Sequence, residues 1–286
     1  MVFSDLYEKI KELENIENVD FFEVGKSLLG QSIFGAHVGK FSGPQILVEG
    51  AIHAREYVTT LLIVEMVKYY SSIDFNGGIY FIPLVNPDGV RLVLDGASWL
   101  SCGKFRDYIL SLNNYSNDFS LWKADGEGVD LNVNFDALWG KGTQNVFCPA
   151  SGNFVGFYPN SEREVRALID FMNKTDISLT LSYHTKGEVI YYGFEVLSEK
   201  SLARDYSFAQ TISNITGYPI QKTEGSVGGF SDWVSLNFDI PAFTIEVGSS
   251  DIPHPIDESY LKEIFERNKD VPLALINQLN EGMQNK

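Results

Sequence analysis

Short apolar runs alternate with amphipathic stretches along most of this 286-residue chain. The apolar runs are rich in Val, Ile, Phe and Tyr, which favours strands, and the amphipathic stretches have the spacing of helices. The predicted strands cover residues 21–24, 32–38, 45–49, 78–84, 178–182, 188–192 and 241–247. The predicted helices cover residues 4–14, 57–71, 161–174, 198–217, 230–237 and 260–279. This alternation predicts an α/β sheet with helices packed on its faces.

The segment from residue 90 to residue 159 breaks the pattern, because it is rich in Gly, Asn, Ser and Asp and weakly periodic. Such a stretch inside a compact domain is usually a set of functional loops. The preceding tetrapeptide, residues 86–89, is explained by a tight turn after a strand. We therefore predict one domain, residues 1–286, with residues 1–20 as an N-terminal helix.

Charge and composition exclude several classes of protein. The chain has 22 Lys and Arg against 38 Asp and Glu, a net charge of −16, which disfavours nucleic acid and anionic membranes as partners. No stretch approaches the roughly 20 apolar residues of a membrane span. Without a basic leader and apolar run, the predicted location is cytoplasmic, or secreted if a leader was removed. Cys102 and Cys148 are expected to be reduced thiols, although one bridge between them stays possible.

Two histidines and one glutamate form the first candidate site. His53 and Glu56 lie between a predicted buried strand and a predicted helix, and His184 lies at the end of another strand. Catalytic zinc sites usually have three protein ligands of these types and leave one position for water. His-x-x-Glu alone is a weak signal, and an incidental histidine at a helix start would also explain it.

Two acidic residues extend this candidate site. Glu246 interrupts an apolar strand, where burial would raise its pKa and suit it to act as a general base. A glutamate on an edge strand facing solvent is the alternative. Asp130 lies in a turn-like run and could orient a ligand imidazole.

These segments, in this order and spacing, resemble the zinc carboxypeptidase family from about Gly25 to about Leu275. The resemblance implies a mixed, mostly parallel twisted sheet of about eight strands with helices on both faces. It implies one Zn²⁺ per chain and assigns residues by position. The implied zinc ligands are His53, Glu56 and His184.

The same resemblance implies the remaining roles. Glu246 matches the family's catalytic glutamate, and Asp130 matches the residue that hydrogen-bonds a ligand histidine. Lys123 lies where the family usually has an arginine that polarises the scissile carbonyl. If Lys123 is only a solvated lysine, Arg91 or Arg106 could supply that charge. The implied substrate-binding residues are Arg55, Asn132, which matches half of the clamp for a C-terminal carboxylate, and Ser231, within the family-like run from Gly228 to Glu246.

Two departures from the family pattern bear on the substrate. Val133 stands where a typical carboxypeptidase has a carboxylate-binding arginine, and Glu224 lies at or near the family's mobile tyrosine. Glu224 should repel a free carboxylate and attract an ammonium group. Val133 could instead fill an apolar gap while Lys186 binds the carboxylate. His37 and His254 have no predicted ligand partners and are interpreted as structural or solvent-facing.

Two segments carry a finer resemblance, the run from Trp122 to Asn132 and the Gly-Gly-Phe run at residues 228–230 before Asp232 and Trp233. They are most similar to bacterial family members that cleave between γ-D-glutamate and diaminopimelate in cell-wall peptides. We therefore expect a zinc peptidase with a peptide or muropeptide as partner, in which Glu246 is the base and Lys123 stabilises the oxyanion. An ordinary metallocarboxypeptidase, a zinc deacylase of N-acyl amino acids and a non-catalytic peptide-binding module are the alternatives. The sequence leaves the oligomeric state open.

Overall fold

Eight strands form a single sheet in the computed structural model of the chain, which describes residues 1–284. The spatial order is β1-β2-β4-β3-β5-β8-β6-β7. The strand bounds are β1 (Val19–Lys26), β2 (Ser32–Gly39), β3 (Gln45–Gly50), β4 (Gly78–Ile82), β5 (Leu179–Thr185), β6 (Val189–Tyr192), β7 (Ile220–Lys222) and β8 (Ala242–Val247).

The sheet is mixed. The pairs β3–β4, β3–β5, β5–β8 and β6–β7 are parallel, whereas β1–β2, β2–β4 and β6–β8 are antiparallel. The prediction of a mixed, mostly parallel sheet of about eight strands is therefore confirmed. The short strand β7 was not among the individually predicted strands, because three residues carry too little alternation to be recognised.

Nine α-helices lie within the described residues. Their bounds are α1 (Phe3–Lys11), α2 (Val58–Tyr70), α3 (Pro87–Asp95), α4 (Gly103–Leu112), α5 (Arg163–Lys174), α6 (Glu199–Thr216), α7 (Phe230–Phe238), α8 (Leu261–Asn268) and α9 (Val271–Gln284). None of the helices within residues 1–284 is long and apolar enough to cross a membrane.

Several sequence predictions were wrong in detail. The N-terminal helix does not fill residues 1–20, because α1 ends at Lys11 and β1 begins at Val19. The predicted helix over residues 260–279 is divided into α8 and α9. Residues 86–89 are not a turn but the start of α3, where the Asn86 side chain accepts a hydrogen bond from the backbone N–H of Gly89 at 2.9 Å. An Asn cap followed by Pro begins helices as well as turns.

Apolar side chains cover both faces of the sheet. One core packs α2, α6 and α9 against Val48, Leu181 and Ile245. The other packs α5 and α7 against Leu47, Ile82 and Ala242 at the opposite face. Helices therefore lie on both faces, as predicted.

The second face becomes polar toward the carboxyl ends of β3, β5 and β8. Glu49 is the pairing partner of Ser182 on the neighbouring strand, and His184 is the partner of Glu246. Alternate residues on these strands, such as Tyr183, are buried in the core on the other side. The period of two thus places the strand-borne polar groups on one face, at the ends of parallel strands where α/β folds usually bind ligands.

Candidate metal centre

His53 and Glu56 are held by the short connection between β3 and α2. His53 precedes a 3₁₀ turn over Ala54–Glu56, which begins the helical segment. The Thr59 hydroxyl donates a hydrogen bond to the backbone carbonyl of Glu56 and accepts one from the backbone N–H of Ala51, both at 2.8 Å. The backbone of this connection is therefore fixed from two sides.

Three donor groups converge at one buried point. His184 Nδ1 lies 3.1 Å from His53 Nδ1 and 3.0 Å from Glu56 Oε2, and His53 Nδ1 lies 3.1 Å from Glu56 Oε1. Two ligands bound tetrahedrally to one zinc at their usual bond lengths are roughly 3.3 Å apart. The three groups thus have the spacing, the burial and the N/O chemistry that fit one zinc ion.

The charges around these groups favour the ionised glutamate. Although burial opposes ionisation, His53 and His184 hold the pKa of Glu56 well below its usual range. The backbone N–H of Thr185 donates a further hydrogen bond to Glu56 Oε2 at 3.3 Å. Glu56 is therefore available as an anionic ligand at neutral pH.

Asp130 lies behind His53. Its Oδ1 is 3.4 Å from His53 Nε2, the ring nitrogen that faces away from the triad. Asp130 is fully buried, and despite that burial Lys123 and His53 hold the pKa of its carboxyl far below the usual range. A carboxylate in this position can fix the tautomer that leaves His53 Nδ1 free for a metal.

Lys123 is an ion-pair partner of that same aspartate. Its Nζ lies 2.7 Å from Asp130 Oδ2 and donates a hydrogen bond to Asn153 Oδ1 at 3.2 Å. The backbone N–H of Asn153 donates to Asp130 Oδ2 at 2.9 Å. The Lys123 side chain is 19% exposed and lines the same cavity as His53 and His184.

Glu246 faces the triad from β8. Its Oε2 is enclosed and has no hydrogen-bond partner within the described part of the chain. Burial raises the pKa of Glu246 to about 7, and the negative charge of Glu56 acts in the same direction. A carboxyl group with this pKa can both accept and return a proton near neutral pH.

A cavity of about 310 Å³ opens in front of these groups. It is lined by residues from β5, β6, α7 and β8, by the loop directly before α7, and by His53, Lys123 and Asn132 from earlier segments of the chain. The polar and charged lining residues include His53, Lys123, Asn132, His184, Thr223, Glu224, Ser231, Asp232, Thr244 and Glu246. Among the lining residues within 1–284, Lys123 is the only lysine or arginine.

Four of the predicted substrate-binding residues line a cavity, and the fifth, Arg55, does not. Asn132, Glu224 and Ser231 line this cavity. Asn132 Oδ1 accepts a hydrogen bond from the backbone N–H of Phe230 at 2.9 Å, and Ser231 Oγ lies 3.2 Å from Thr244 Oγ1. Val133 lines an adjacent cavity of about 140 Å³.

Arg55 is not among the residues that line either cavity. Its Nε is enclosed and without a hydrogen-bond partner in the described structure. Its positive charge lowers the pKa of Glu246, after the larger effects of burial and of the other nearby charges. The structure therefore places Arg55 near Glu246 without placing it on the cavity wall.

The alternative cations lie elsewhere. Arg91 stacks on Trp99 with 4.2 Å between the guanidinium carbon and the ring centroid, and Arg106 is exposed on α4. Lys186 Nζ donates to the backbone carbonyls of Ser250 and Ile252. None of these three cations lines the cavity.

The remaining histidines and the two cysteines are not part of the triad. His37 is buried, and its Nε2 lies 3.1 Å from Gln45 Oε1. His254 Nδ1 lies 3.4 Å from Thr185 Oγ1, closer to the triad than expected, and burial lowers its pKa to about 4. Cys102 and Cys148 are free and exposed.

Three residues near the triad were missed in the sequence. Glu49 is fully buried on β3, and burial raises its pKa. Asp232 lines the cavity, and burial raises its pKa to about 7. Asn153 completes the contact between Lys123 and Asp130. Glu49 carried the same signal as Glu246, a lone glutamate in an apolar strand, whereas a loop asparagine carries no recognisable signal.

Comparisons with known proteins agree with this geometry. Residues 6–270 match the family described as zinc carboxypeptidase. A Lysinibacillus sphaericus protein, Gamma-D-glutamyl-L-diamino acid endopeptidase 1, is 31% identical over 251 residues, which are 82% of this chain and 62% of that protein. The match thus spans about three-fifths of the relative's length.

Solved structures share the fold at lower identity. Bovine thrombin-activatable fibrinolysis inhibitor matches with a TM-score of 0.76 and 20% identity, covering 99% of this chain and 98% of that one. Carboxypeptidase A from Helicoverpa armigera matches with a TM-score of 0.74 and 20% identity, covering 96% and 71%. The chain shares the fold of these structures, and its triad fits one metal ion. The chain belongs to the zinc carboxypeptidase family.

Proposed function

We propose that this protein hydrolyses the amide bond between γ-D-glutamate and meso-diaminopimelate in bacterial cell-wall peptides. The observation that carries the proposal is the charge of the cavity wall. Lys123, the one lysine or arginine of this wall within residues 1–284, is paired with Asp130, whereas Glu224 and Asp232 add carboxyl groups. A wall of this kind favours a substrate with an ammonium group over a peptide whose recognition depends on a C-terminal carboxylate.

The sequence comparison supports the same substrate class. The relative from Lysinibacillus sphaericus is named as an endopeptidase for γ-D-glutamyl-L-diamino acids. Diaminopimelate is a diamino acid, and its second amine suits the acidic wall formed in part by Glu224. Val133 is consistent with this preference, because it supplies no positive charge where the family usually has an arginine.

The proposed mechanism assigns one role to each group. His53, Glu56 and His184 would hold the zinc, and Asp130 fixes the His53 ring. When bound, zinc supplies Lewis acidity, which polarises the substrate carbonyl and lowers the pKa of water.

Glu246 accepts a proton from the attacking water and then delivers it to the departing amine of diaminopimelate. Its pKa of about 7 suits both steps. The Lys123 ammonium group stabilises the negative charge that develops on the carbonyl oxygen.

Digestion of defined peptides tests the proposal. Zinc-loaded protein is incubated with L-Ala-γ-D-Glu-meso-diaminopimelate and with its L-lysine analogue. A plain α-linked peptide that has a free C-terminus and an N-acyl amino acid are tested in parallel. Product masses identify the bond that is cleaved. We expect release of diaminopimelate at a higher kcat/KM than release of any residue from the plain peptide, and turnover by Glu246→Gln that is at least about 10²-fold slower.

Three outcomes would contradict the proposal. Preference for the plain peptide would assign an ordinary carboxypeptidase. Turnover of N-acyl amino acids without turnover of either muropeptide would assign a deacylase. Binding of the muropeptide without turnover, by protein that contains one zinc per chain, would assign a peptide-binding module.

A further inference from the structure

A second group of carboxyl groups lies buried outside the metal centre. One oxygen from each of Asp125, Glu162 and Glu164 lies within 4.8 Å of the others, and all three residues are buried. Asp88, at the start of α3, raises the pKa of Glu164 by its charge and is also fully buried. We refer to Asp88, Asp125, Glu162 and Glu164 as the acid cluster.

Backbone groups hold one oxygen of each of three cluster residues. Asp125 Oδ1 accepts from the backbone N–H of Glu127 at 2.8 Å and from that of Val129 at 2.9 Å. Glu164 Oε1 accepts from the backbone N–H of Leu28 at 3.0 Å. Asp88 Oδ2 accepts from the backbone N–H of Leu29 at 2.8 Å. The three carboxyl groups are therefore held in fixed orientations.

The second oxygen of each of these carboxyl groups is enclosed and unpartnered in the described structure. These atoms are Asp88 Oδ1, Asp125 Oδ2 and Glu164 Oε2. All three residues are 0% exposed. No lysine, arginine or histidine nitrogen within residues 1–284 lies within ion-pair distance of any cluster carboxylate. Buried carboxylates without a cation are costly, so this arrangement requires bound protons or a bound cation.

The loop that carries Asp125 packs closely against α3, which carries Asp88. Gly126 lies beside α3, and a Cβ added to it would be 3.0 Å from Asp88 Cβ. A larger residue would push the Asp125 loop away from α3. Burial and neighbouring negative charge raise the pKa of both Asp125 and Glu164. Carboxyl oxygens from three separate segments are thus concentrated in one place.

We propose that the acid cluster binds one hard divalent cation of the calcium class. Calcium takes oxygen ligands from carboxylates, whereas the histidine nitrogens of the other site suit zinc. The free oxygens of Asp125 and Glu164 supply the ligands together with Glu162, and Asp88 adds charge or a further oxygen. The cation offsets negative charge that has no cationic side chain within ion-pair distance in residues 1–284.

The site would also act on the metal centre through the loop over residues 123–130. This loop carries Lys123 and Asp130, and Asp125 lies between them. Because Asp125 Oδ1 already holds the backbone at Glu127 and Val129, a cation on its other oxygen would join the loop to α5. Calcium is therefore expected to fix the loop that carries Lys123 and Asp130.

Calcium binding is tested on the full chain with zinc already loaded, so that the histidine site is occupied. Calorimetric titration with Ca²⁺ is expected to give one site per chain, with a Kd between about 10⁻⁷ and 10⁻³ M. At saturating Ca²⁺ the thermal unfolding midpoint should rise by about 5 °C. Absence of both binding and a midpoint shift would overturn the proposal and assign shared protons to the cluster.

Isosteric variants separate binding from folding. Glu164→Gln and Asp125→Asn remove one charge each and keep the side-chain shape, so both should fold without calcium and should bind Ca²⁺ at least tenfold more weakly than the wild type. Asp205→Asn is the matched control, because Asp205 is a buried acid on α6 that pairs with Arg204, and it should keep the full Ca²⁺ response. Calcium binding by Glu164→Gln equal to that of the wild type would exclude the cluster as the site, whatever the enzyme's substrate.

Discussion

Lys123 Nζ lies 2.7 Å from Asp130 Oδ2, and the other oxygen of that carboxylate lies 3.4 Å from His53 Nε2. The lysine that lines the cavity and the histidine of the triad therefore share one buried anion. Asp130 fixes the histidine and holds the lysine at the same time. Displacement of either partner should consequently affect both metal binding and catalysis.

Replacement of Lys123 by alanine tests its proposed role on the developing oxyanion. We expect kcat to fall by about 10²- to 10³-fold, the usual effect of removing one such donor. Lys123→Arg should retain part of the activity, because it keeps the charge near Asp130. The measurement is kcat together with zinc content. A near-normal rate for Lys123→Ala would show that another group stabilises the oxyanion.

The proposed base is tested by Glu246→Gln. The amide cannot accept the proton from water, so turnover should fall by at least about 10²-fold. The variant should still contain one zinc per chain, because Glu246 is not among the three converging donors. Metal analysis and kcat are measured on the same preparation. Loss of zinc along with activity would make the glutamate a structural residue.

Metal removal should abolish activity reversibly. Dialysis against a chelator removes the proposed zinc, and stoichiometric Zn²⁺ should restore turnover and raise the thermal midpoint, since the metal binds only the folded chain. His184→Ala should fail to retain zinc. His37→Gln is the control, because His37 is a buried histidine that contacts Gln45 and not the triad. Zinc retention by His184→Ala would refute the assigned ligand set.

The charge of Glu224 is predicted to affect substrate choice and not the chemical step. Glu224→Gln should raise KM for the diaminopimelate peptide by about two- to fivefold, because an exposed charge acts weakly through water. The rate at saturation should be unchanged. Glu17→Gln removes an exposed acid distant in the sequence and outside the cavity lining, and serves as the control. Equal kinetics for both variants would exclude Glu224 from substrate recognition.

The acid cluster makes stability depend on pH. Burial and the charge of Asp88 raise the pKa of Glu164 from its ordinary value of 4.5 to about 8. Between these values Glu164 holds a proton in the folded chain that it loses in the unfolded chain, so its contribution to the free energy of unfolding of calcium-free protein should fall as pH rises from about 4.5 to about 8. Asp125 acts in the same direction.

Denaturant titration across this pH range measures the effect. Glu164→Gln should show a smaller decrease in stability than the wild type, because the amide has no proton to lose. Saturating Ca²⁺ should also reduce the decrease in the wild type. Identical pH profiles for the wild type and the variant would mean that Glu164 does not hold a proton in the folded state.

Local pattern was enough to predict the α/β class and most of the helices, and together with the family resemblance it predicted the residues that form the triad. His53 and Glu56 follow a strand that is recognisable from its apolar run, and His184 ends another. Because parallel central strands finish at one edge of a sheet, these three residues could be predicted to meet. The same signal, a lone glutamate in an apolar strand, drew attention to Glu246.

Contacts between distant segments had no local signal. The sequence alone could not pair Lys123 with Asp130 and Asn153, and it gave no reason to bring Asp125 beside Glu164. Hydrophobic periodicity reports which side of one element is buried, whereas strand order and loop packing decide which polar groups share that buried space. The ligands of the proposed zinc site could therefore be inferred from the sequence, but the charge balance of the cavity and the acid cluster emerged only with the tertiary structure, because electrostatic energy depends on separation in space and on burial.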